Sequence, residues 1–307
     1  MVATDVSDVR RREAASDLGI SVVDDLDQGL EAGPDAVLVA TPPATHVEVA
    51  TRAARAGCHL LVEKPLSDRL DGLEELDRLV DVGNLVTLVG CNLRFHPALA
   101  EARRLVLEGA VGRVVAVLAQ FGHYLPAWHP SEDYRQSYSA NRNQGGGVIL
   151  DAIHEVDYVR WILGEVAEVA CFADKVSELD LDVEDTAAVI LRFESGALGE
   201  IHLDYVQRDY ARNCTIIGDR GTIKWDFATA QTSMYTEGSA RWEVVFARPD
   251  WDVNEMYVDE LRHFTRCVSR LEQSVCDIRE GRRVLQIALA AKSAASAGTV
   301  LRPEEMR

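Results

Sequence analysis

Strand-length apolar runs and helix-length amphipathic runs alternate through the first ninety residues, and very few architectures accept that rhythm. Residues 2–6, 20–23, 35–40, 59–62 and 85–90 read as strands. Between them, Ser7 can cap a helix over 8–18 that Gly19 closes, and Asp24 or Asp25 caps a shorter one that Gly33-Pro34 ends. Thr41-Pro42-Pro43 leads into a third helix, to residue 56, whose small inward positions Val47, Ala50 and Ala54 suit packing on a sheet. Ser67 caps a fourth, with Leu70, Leu73, Leu76 and Val80 on one stripe. Strands joined by helices in this order run parallel with right-handed crossovers, so the fold class is α/β, with a doubly wound parallel sheet.

The rhythm changes at Arg113. Candidate strands at 113–122, 166–176, 183–193, 197–207, 213–218, 222–227 and 241–247 follow one another through turns such as Glu194-Ser195-Gly196, which predicts a large, mostly antiparallel open sheet. Helices at 97–108, 146–163, 252–272 and 278–298 make this second part α+β. The expected division is a first domain over 1–93 and a second over 94–307, with helix 278–298 packing back on the first.

Within the first domain, the run 59–62 lies between Gly57 and Pro65 and reads as a strand covered on both faces. Glu63 and Lys64 then fall at its carboxyl end, the edge of an open α/β sheet where ligands bind. Pro65 holds Lys64 on a stiff, extended backbone. Lysine is scarce here, with Lys64, Lys175, Lys224 and Lys292 the only four among 32 basic residues, so Lys64 is not filler.

A net charge of −18 argues against nucleic acid or an anionic membrane as partner. The six cysteines form no CxxC pair and sit in apolar runs, which suits buried, reduced thiols in a cytoplasmic protein rather than disulfides or zinc. No apolar run is long enough for a membrane span. The acidic cluster Asp180, Asp182, Glu184 and Asp185 reads as a solvated turn, and no metal site is assigned.

Several motifs in order resemble one family. Ala40-Thr41-Pro42-Pro43 with His46, the run from Ala56 to Glu63-Lys64-Pro65, the segment GCNLRFHP from Gly90 to Pro97, and Gly145-Gly146-Gly147 leading to Asp151 and His154 are similar to the Gfo/Idh/MocA family of NAD(P)-dependent sugar and cyclitol oxidoreductases. The resemblance covers residues 2 to 165 and implies a Rossmann-like nucleotide domain followed by an α/β domain whose open sheet forms a homo-oligomer interface. It also implies that Lys64 bridges cofactor and substrate, that His154 exchanges the substrate hydroxyl proton, and that Asp151 orients His154. Oxidising a secondary alcohol needs an acceptor for its hydroxyl proton, and histidine titrates near neutrality. Helical spacing after Gly147 supports the placement: Ile149, Ile153, Val156 and Leu163 form one stripe, and Asp151, His154, Tyr158 and Trp161 fall together on another.

The chain departs from the family pattern at two points. Asp151 and His154 are three residues apart where relatives space them by four. No G-x-G-x-x-G turn occurs anywhere, and the first strand here corresponds to the second strand of relatives. Loss of that central strand would leave residues 2–6 and 35–40 without a shared neighbour, so the expectation is a natural start upstream of Met1 and poor dinucleotide binding by the chain as given.

Further contacts are implied by position. Asp5 sits where an acid binds the adenosine ribose, which favours NAD over NADP. Thr41, Pro42, His46, Glu63 and Arg94 are candidate cofactor contacts, although Thr41-Pro42-Pro43 reads equally as a strand-to-helix turn, and Arg94 with His96 as hinge packing. Trp128 to Gln144 is a polar, aromatic loop suited to a sugar: Trp128 and Tyr134 would cover ring faces, and Arg135 and Arg142 would meet phosphate or carboxylate. The reading is an NAD-dependent dehydrogenase acting on a hydroxyl of a sugar, sugar nucleotide or cyclitol. The alternative is a non-catalytic sugar-binding or assembly subunit with a vestigial nucleotide domain.

Overall fold

Strand β1 (Val2–Ala3) pairs in parallel with β2 (Ser21–Val22), and α1 (Asp8–Leu18) crosses between them, capped by Ser7 and ended by Gly19 in the left-handed region at φ +64°. Next come α2 (Leu26–Glu31), capped by Asp25, β3 (Ala36–Val39), α3 (His46–Arg55), β4 (His59–Val62), α4 (Leu73–Gly83) and β5 (Thr87–Val89). These last three strands form a second parallel sheet in the order β3-β4-β5. The computed structural model describes every residue except His129 and Arg307.

Strands β1 and β3 thus lie in different sheets with no strand between them, and β3 is an edge whose Leu38 is 56% exposed. With one partner each, β1 and β2 pair over only two residues, shorter than the runs 2–6 and 20–23 suggest. The fourth helix also starts later than expected. Gly72, at φ +81°, sets the turn before Leu73, and Ser67 instead accepts the Arg69 amide in the preceding loop.

The second part contributes α5 (Pro97–Leu107), β6 (Val114–Gly122), α6 (Val148–Asp151), α7 (Ile153–Leu163), β7 (Val166–Asp174), β8 (Thr186–Phe193), β9 (Leu198–Asp204), β10 (Ala211–Gly218), β11 (Gly221–Asp226), β12 (Gln231–Thr236), β13 (Trp242–Ala247), α8 (Asn254–Val268) and α9 (Ile278–Ala297). Its eight strands form one open sheet, β13-β12-β11-β10-β6-β9-β8-β7, antiparallel except for β6 against β9. Sequence patterning misses β12 because QTSMYT is mostly polar. Its buried Thr232 is satisfied by donating to the Ala98 carbonyl at 2.6 Å.

The helix expected over 146–163 is two helices. At Ala152 (φ −90°, ψ 32°) the ladder breaks, because the Asp151 carbonyl accepts from the Lys64 ammonium at 2.7 Å while the Glu155 amide turns to Ala152. Helix α7 is buried nearly all round, so the two-stripe reading fails. Tyr158 packs edge-on against Trp225 in the core, and Trp161 lies beneath Arg103. Helix α9 packs on β7 and α7, and its start also meets the first sheet: the Ile278 amide donates to Thr87 Oγ1, and Arg279 pairs with Asp77 and Asp81.

No helix among the described residues is long and apolar enough to cross a membrane. All six cysteines are free and buried. The acidic cluster is only partly a solvated turn. Asp185 is buried and accepts from the Val176 and Ser177 amides, and Glu184 pairs with Lys292.

Candidate active site

Strand β4 ends at Val62 and carries Glu63 and Lys64 to the carboxyl edge of its sheet, where the Lys64–Pro65 peptide is cis. From the opposite wall the break at Ala152 turns Asp151 back toward this edge. The Lys64 ammonium donates to Asp151 Oδ1 at 2.8 Å, and the Asp151 side chain is 1% exposed. Three hydroxyls complete the shell: Tyr138 donates to Oδ1, and Ser139 and Tyr205 donate to Oδ2.

This packing decides the charges. Burial would pull the Lys64 pKa down, but the Asp151 carboxylate beside it outweighs burial and holds it above its ordinary value. For Asp151, burial pushes up, and the Lys64 charge with the donated hydrogen bonds wins, leaving its pKa below the usual carboxylate range. Burial, then the Lys64 and Arg212 charges, hold His154 well below its ordinary value, so the ring is neutral.

Lys64, Asp151 and His154 line one cavity of about 590 Å³, walled also by Thr41, Pro42, Trp128 and Tyr134. The expected pairing of Asp151 with His154 is absent. All of the Asp151 oxygens go to Lys64, Tyr138, Ser139 and Tyr205, and His154 Nδ1 is buried with no partner, which leaves Nε2 to open on the cavity.

Other sequence-predicted contacts are placed elsewhere. His46 is buried with its ring nitrogens 2.6 and 2.8 Å from the Thr41 and Pro65 carbonyls, so it ties two loops together rather than facing the cavity. Arg94 is buried in an ion pair with Asp157 and donates to the Val275 carbonyl, and His96 sits in an aromatic cage of Trp225, Phe227 and Trp251, so both pack at the junction. Arg135 pairs with Asp133 outside the cavity, and Arg142 donates to the Asp182 carbonyl. Glu63 lies behind Lys64 against Gly90, and Asp5 accepts the Ser7 amide at the start of α1. Neither lines the cavity.

Sequence reasoning missed Tyr138, Ser139, Tyr205, Tyr210 and Arg212. They lie in loops and at strand ends, where no periodicity marks a side chain that turns inward. A buried cluster of Cys91, Asp157 and Cys276 is already occupied on its acidic side by Arg94.

Ala40, Thr41, Pro42 and Lys64 line the cavity together and are the residues that would hold the nicotinamide end of a dinucleotide. The sequence contains no G-x-G-x-x-G turn of the kind that cradles a pyrophosphate.

A strut behind the site holds the triple-glycine turn. Lys292 on α9 donates to both oxygens of Glu184 at 3.1 and 3.2 Å and to the Gly146 carbonyl at 3.5 Å, and the Glu184 backbone carbonyl accepts the Val148 amide. Gly147 has a φ of +108°, which strains any side chain, and a Cβ there would also stand 2.3 Å from Glu184 Oε1. Lys292→Met should lower kcat about tenfold to a hundredfold by letting α6 shift, with KM within about twofold, and Lys292→Arg should restore it. Steady-state kinetics at saturating cofactor check this, and an unchanged kcat would show the strut to be irrelevant to the site.

A family profile described as an oxidoreductase family with an NAD-binding Rossmann fold matches residues 2–91, and one described as the GFO/IDH/MocA C-terminal domain matches residues 99–224. Myo-inositol 2-dehydrogenase of Thermotoga maritima is 29% identical over 99% of this chain and 90% of its own length. The scyllo-inositol 2-dehydrogenase (NAD(+)) of Bacillus subtilis is 29% identical over 84% of this chain and 75% of its own. In fold the chain is similar to levoglucosan dehydrogenase in complex with NADH and levoglucosan (TM-score 0.89, 21% identity, 99% of this chain and 90% of that one). It is also similar to the WlbA dehydrogenase of Bordetella pertussis in complex with NADH and UDP-GlcNAcA (TM-score 0.82, 22% identity, 98% of this chain and 89% of that one).

Proposed function

The chain belongs to the GFO/IDH/MocA family of oxidoreductases, and from that premise we propose that its cavity oxidises a secondary hydroxyl of a sugar, sugar derivative or cyclitol with NAD. The observation that carries this reading is a matched Lys64–Asp151 pair and a neutral His154 on the walls of one cavity. A bound NAD would supply the acceptor for the hydride leaving the carbinol carbon. His154 accepts the hydroxyl proton at Nε2, and Lys64 places a fixed positive charge where alkoxide character develops. Asp151 acts on Lys64, not on His154: it keeps the ammonium charged and aimed. We draw the domain division at residues 93 and 94.

The pH behaviour follows from the depressed His154. Above its unfolded value of 6.5 the ring is neutral folded or unfolded. As pH falls below 6.5 the unfolded chain takes the proton first, so the contribution of His154 to stability is complete above 6.5 and is lost on acidification. The same shift places the acidic limb of the kcat profile below pH 6.5, and a limb centred at or above 6.5 would count against His154 as the base.

A second reading, a sugar-binding subunit without turnover, draws on the separation of β1 from β3. A fluorescence titration with NADH and a turnover assay with myo-inositol and levoglucosan separate the two. The enzyme reading expects NADH formation at high NAD; binding of polyol with no NADH formed at any NAD concentration would favour the subunit. The outward face of the large sheet, with Leu118, Phe172, Ile190 and Leu198 exposed, is the surface we assign to a second copy of the chain.

A further inference from the structure

Arg212 enters the cavity from β10, on the wall that also holds His154, and its charge is already answered. Its Nε lies 2.9 Å from Glu155 Oε1, and the Glu155 side chain is completely buried behind it. The guanidinium carbon sits 4.5 Å over the Phe121 ring, with Tyr210 and His123 beside it on the cavity wall.

We propose that Arg212, pinned from behind by Glu155, sets the substrate class of this cavity: it takes a hydroxyl of an uncharged polyol and rejects substrates that carry a carboxylate. This rests on the dehydrogenase reading above and narrows it. The inner half of the cavity holds two cations, Lys64 and Arg212, and each has its own carboxylate, Asp151 and Glu155. His154, which lines the same cavity, is held well below its ordinary pKa by burial and by both of these cations. A substrate carboxylate brought against Arg212 would therefore meet no net positive charge and would stand close to a desolvated Glu155, at a cost that buried like charges make large. A hydroxyl has no such conflict: it accepts from the guanidinium and leaves the ion pair in place. The aromatic surfaces of Phe121 and Tyr210 suit the apolar faces of a polyol ring.

The arginines farther out do not supply a missing cation. Arg135 and Arg142 are engaged with Asp133 and Asp182, and the cavity lining carries Arg10 together with a carboxylate, Glu132. Charge selection is thus set by one buried pair. Removing the carboxylate alone should free the Arg212 charge for an anion.

Isothermal titration of the full chain, with NADH in excess and at matched ionic strength, tests this with myo-inositol, levoglucosan and D-glucuronate. The expected result is that at least one neutral polyol binds at least tenfold more tightly than glucuronate. Glu155→Gln should narrow that ratio at least tenfold by tightening glucuronate, and Arg212→Gln, which covers the case of a Glu155 variant that does not fold, should weaken the neutral polyol at least tenfold. Equal or tighter binding of glucuronate by the unmodified chain, no binding of any neutral polyol, or an unchanged ratio in a folded Glu155→Gln variant overturns the proposal. Discrimination in binding without NADH formation from any polyol would instead leave this inference standing and sink the dehydrogenase reading.

Discussion

Lys64→Met should lower kcat for polyol oxidation by about 10²–10³-fold, the loss that follows removal of one fixed donor from a developing oxyanion. The same substitution removes, among the described residues, the only cation within hydrogen-bond reach of a carboxylate that is 1% exposed. Three hydroxyls still donate to Asp151, but they carry no charge, and the chain should lose about 3–5 kcal/mol of stability as well. The two losses separate in the double variant Lys64→Met/Asp151→Asn, in which no buried charge is left unpaired. Its urea midpoint should recover most of the way while kcat stays low. Stopped-flow NADH formation and urea unfolding monitored by tryptophan fluorescence provide both numbers. If the double variant regained kcat together with stability, Lys64 would be a structural cation and not an electrostatic partner of the substrate.

Asp157→Ala should be the most damaging single change to stability away from the site, again by about 3–5 kcal/mol. Arg94 and Asp157 join the loop after β5 to α7 through two hydrogen bonds of 2.6 and 3.0 Å, with side-chain exposures of 2% and 0%. Without the carboxylate, the guanidinium keeps only the Val275 carbonyl and the neighbouring Trp161 ring, which cannot neutralise a buried charge. Replacing both partners, as in Arg94→Met/Asp157→Leu, should recover much of the loss because no unpaired ion then remains at this junction. The comparison of the two urea midpoints decides it: equal midpoints for the single and double variants would mean that the pair is not held as a buried ion pair.

The junction also explains why some of the site was legible in sequence and some was not. Lys64 could be placed because a short apolar run, a flanking glycine and a proline mark both the strand and its carboxyl end, and all of these are local. His154 could be placed in the same way, after a glycine run that has to precede a tight helix start. Arg94 reads in sequence as a cofactor contact or as hinge packing, because a lone arginine after a strand looks the same whether it faces a crevice or a partner sixty-three residues later. The partnership of Asp151 was misassigned for a similar reason. Spacing along a helix shows that two side chains share a face, but here the helix breaks at Ala152 and a lysine eighty-seven residues earlier takes both the carboxylate and the carbonyl.

By itself the sequence determined the alternation of elements, the parallel and antiparallel halves, the helix cap at Ser7 and the choice of Asp24 or Asp25 for the next, and the residue types that meet at the cavity, because each depends on interactions within a few residues. Only the tertiary structure decided which charges cancel. Lys64 with Asp151, Arg94 with Asp157, Arg212 with Glu155 and Lys292 with Glu184 are each joined across 57 or more positions of chain. The energy of a buried charge depends on whichever opposite charge folding brings within a few ångströms, and that distance is not written in the order of residues.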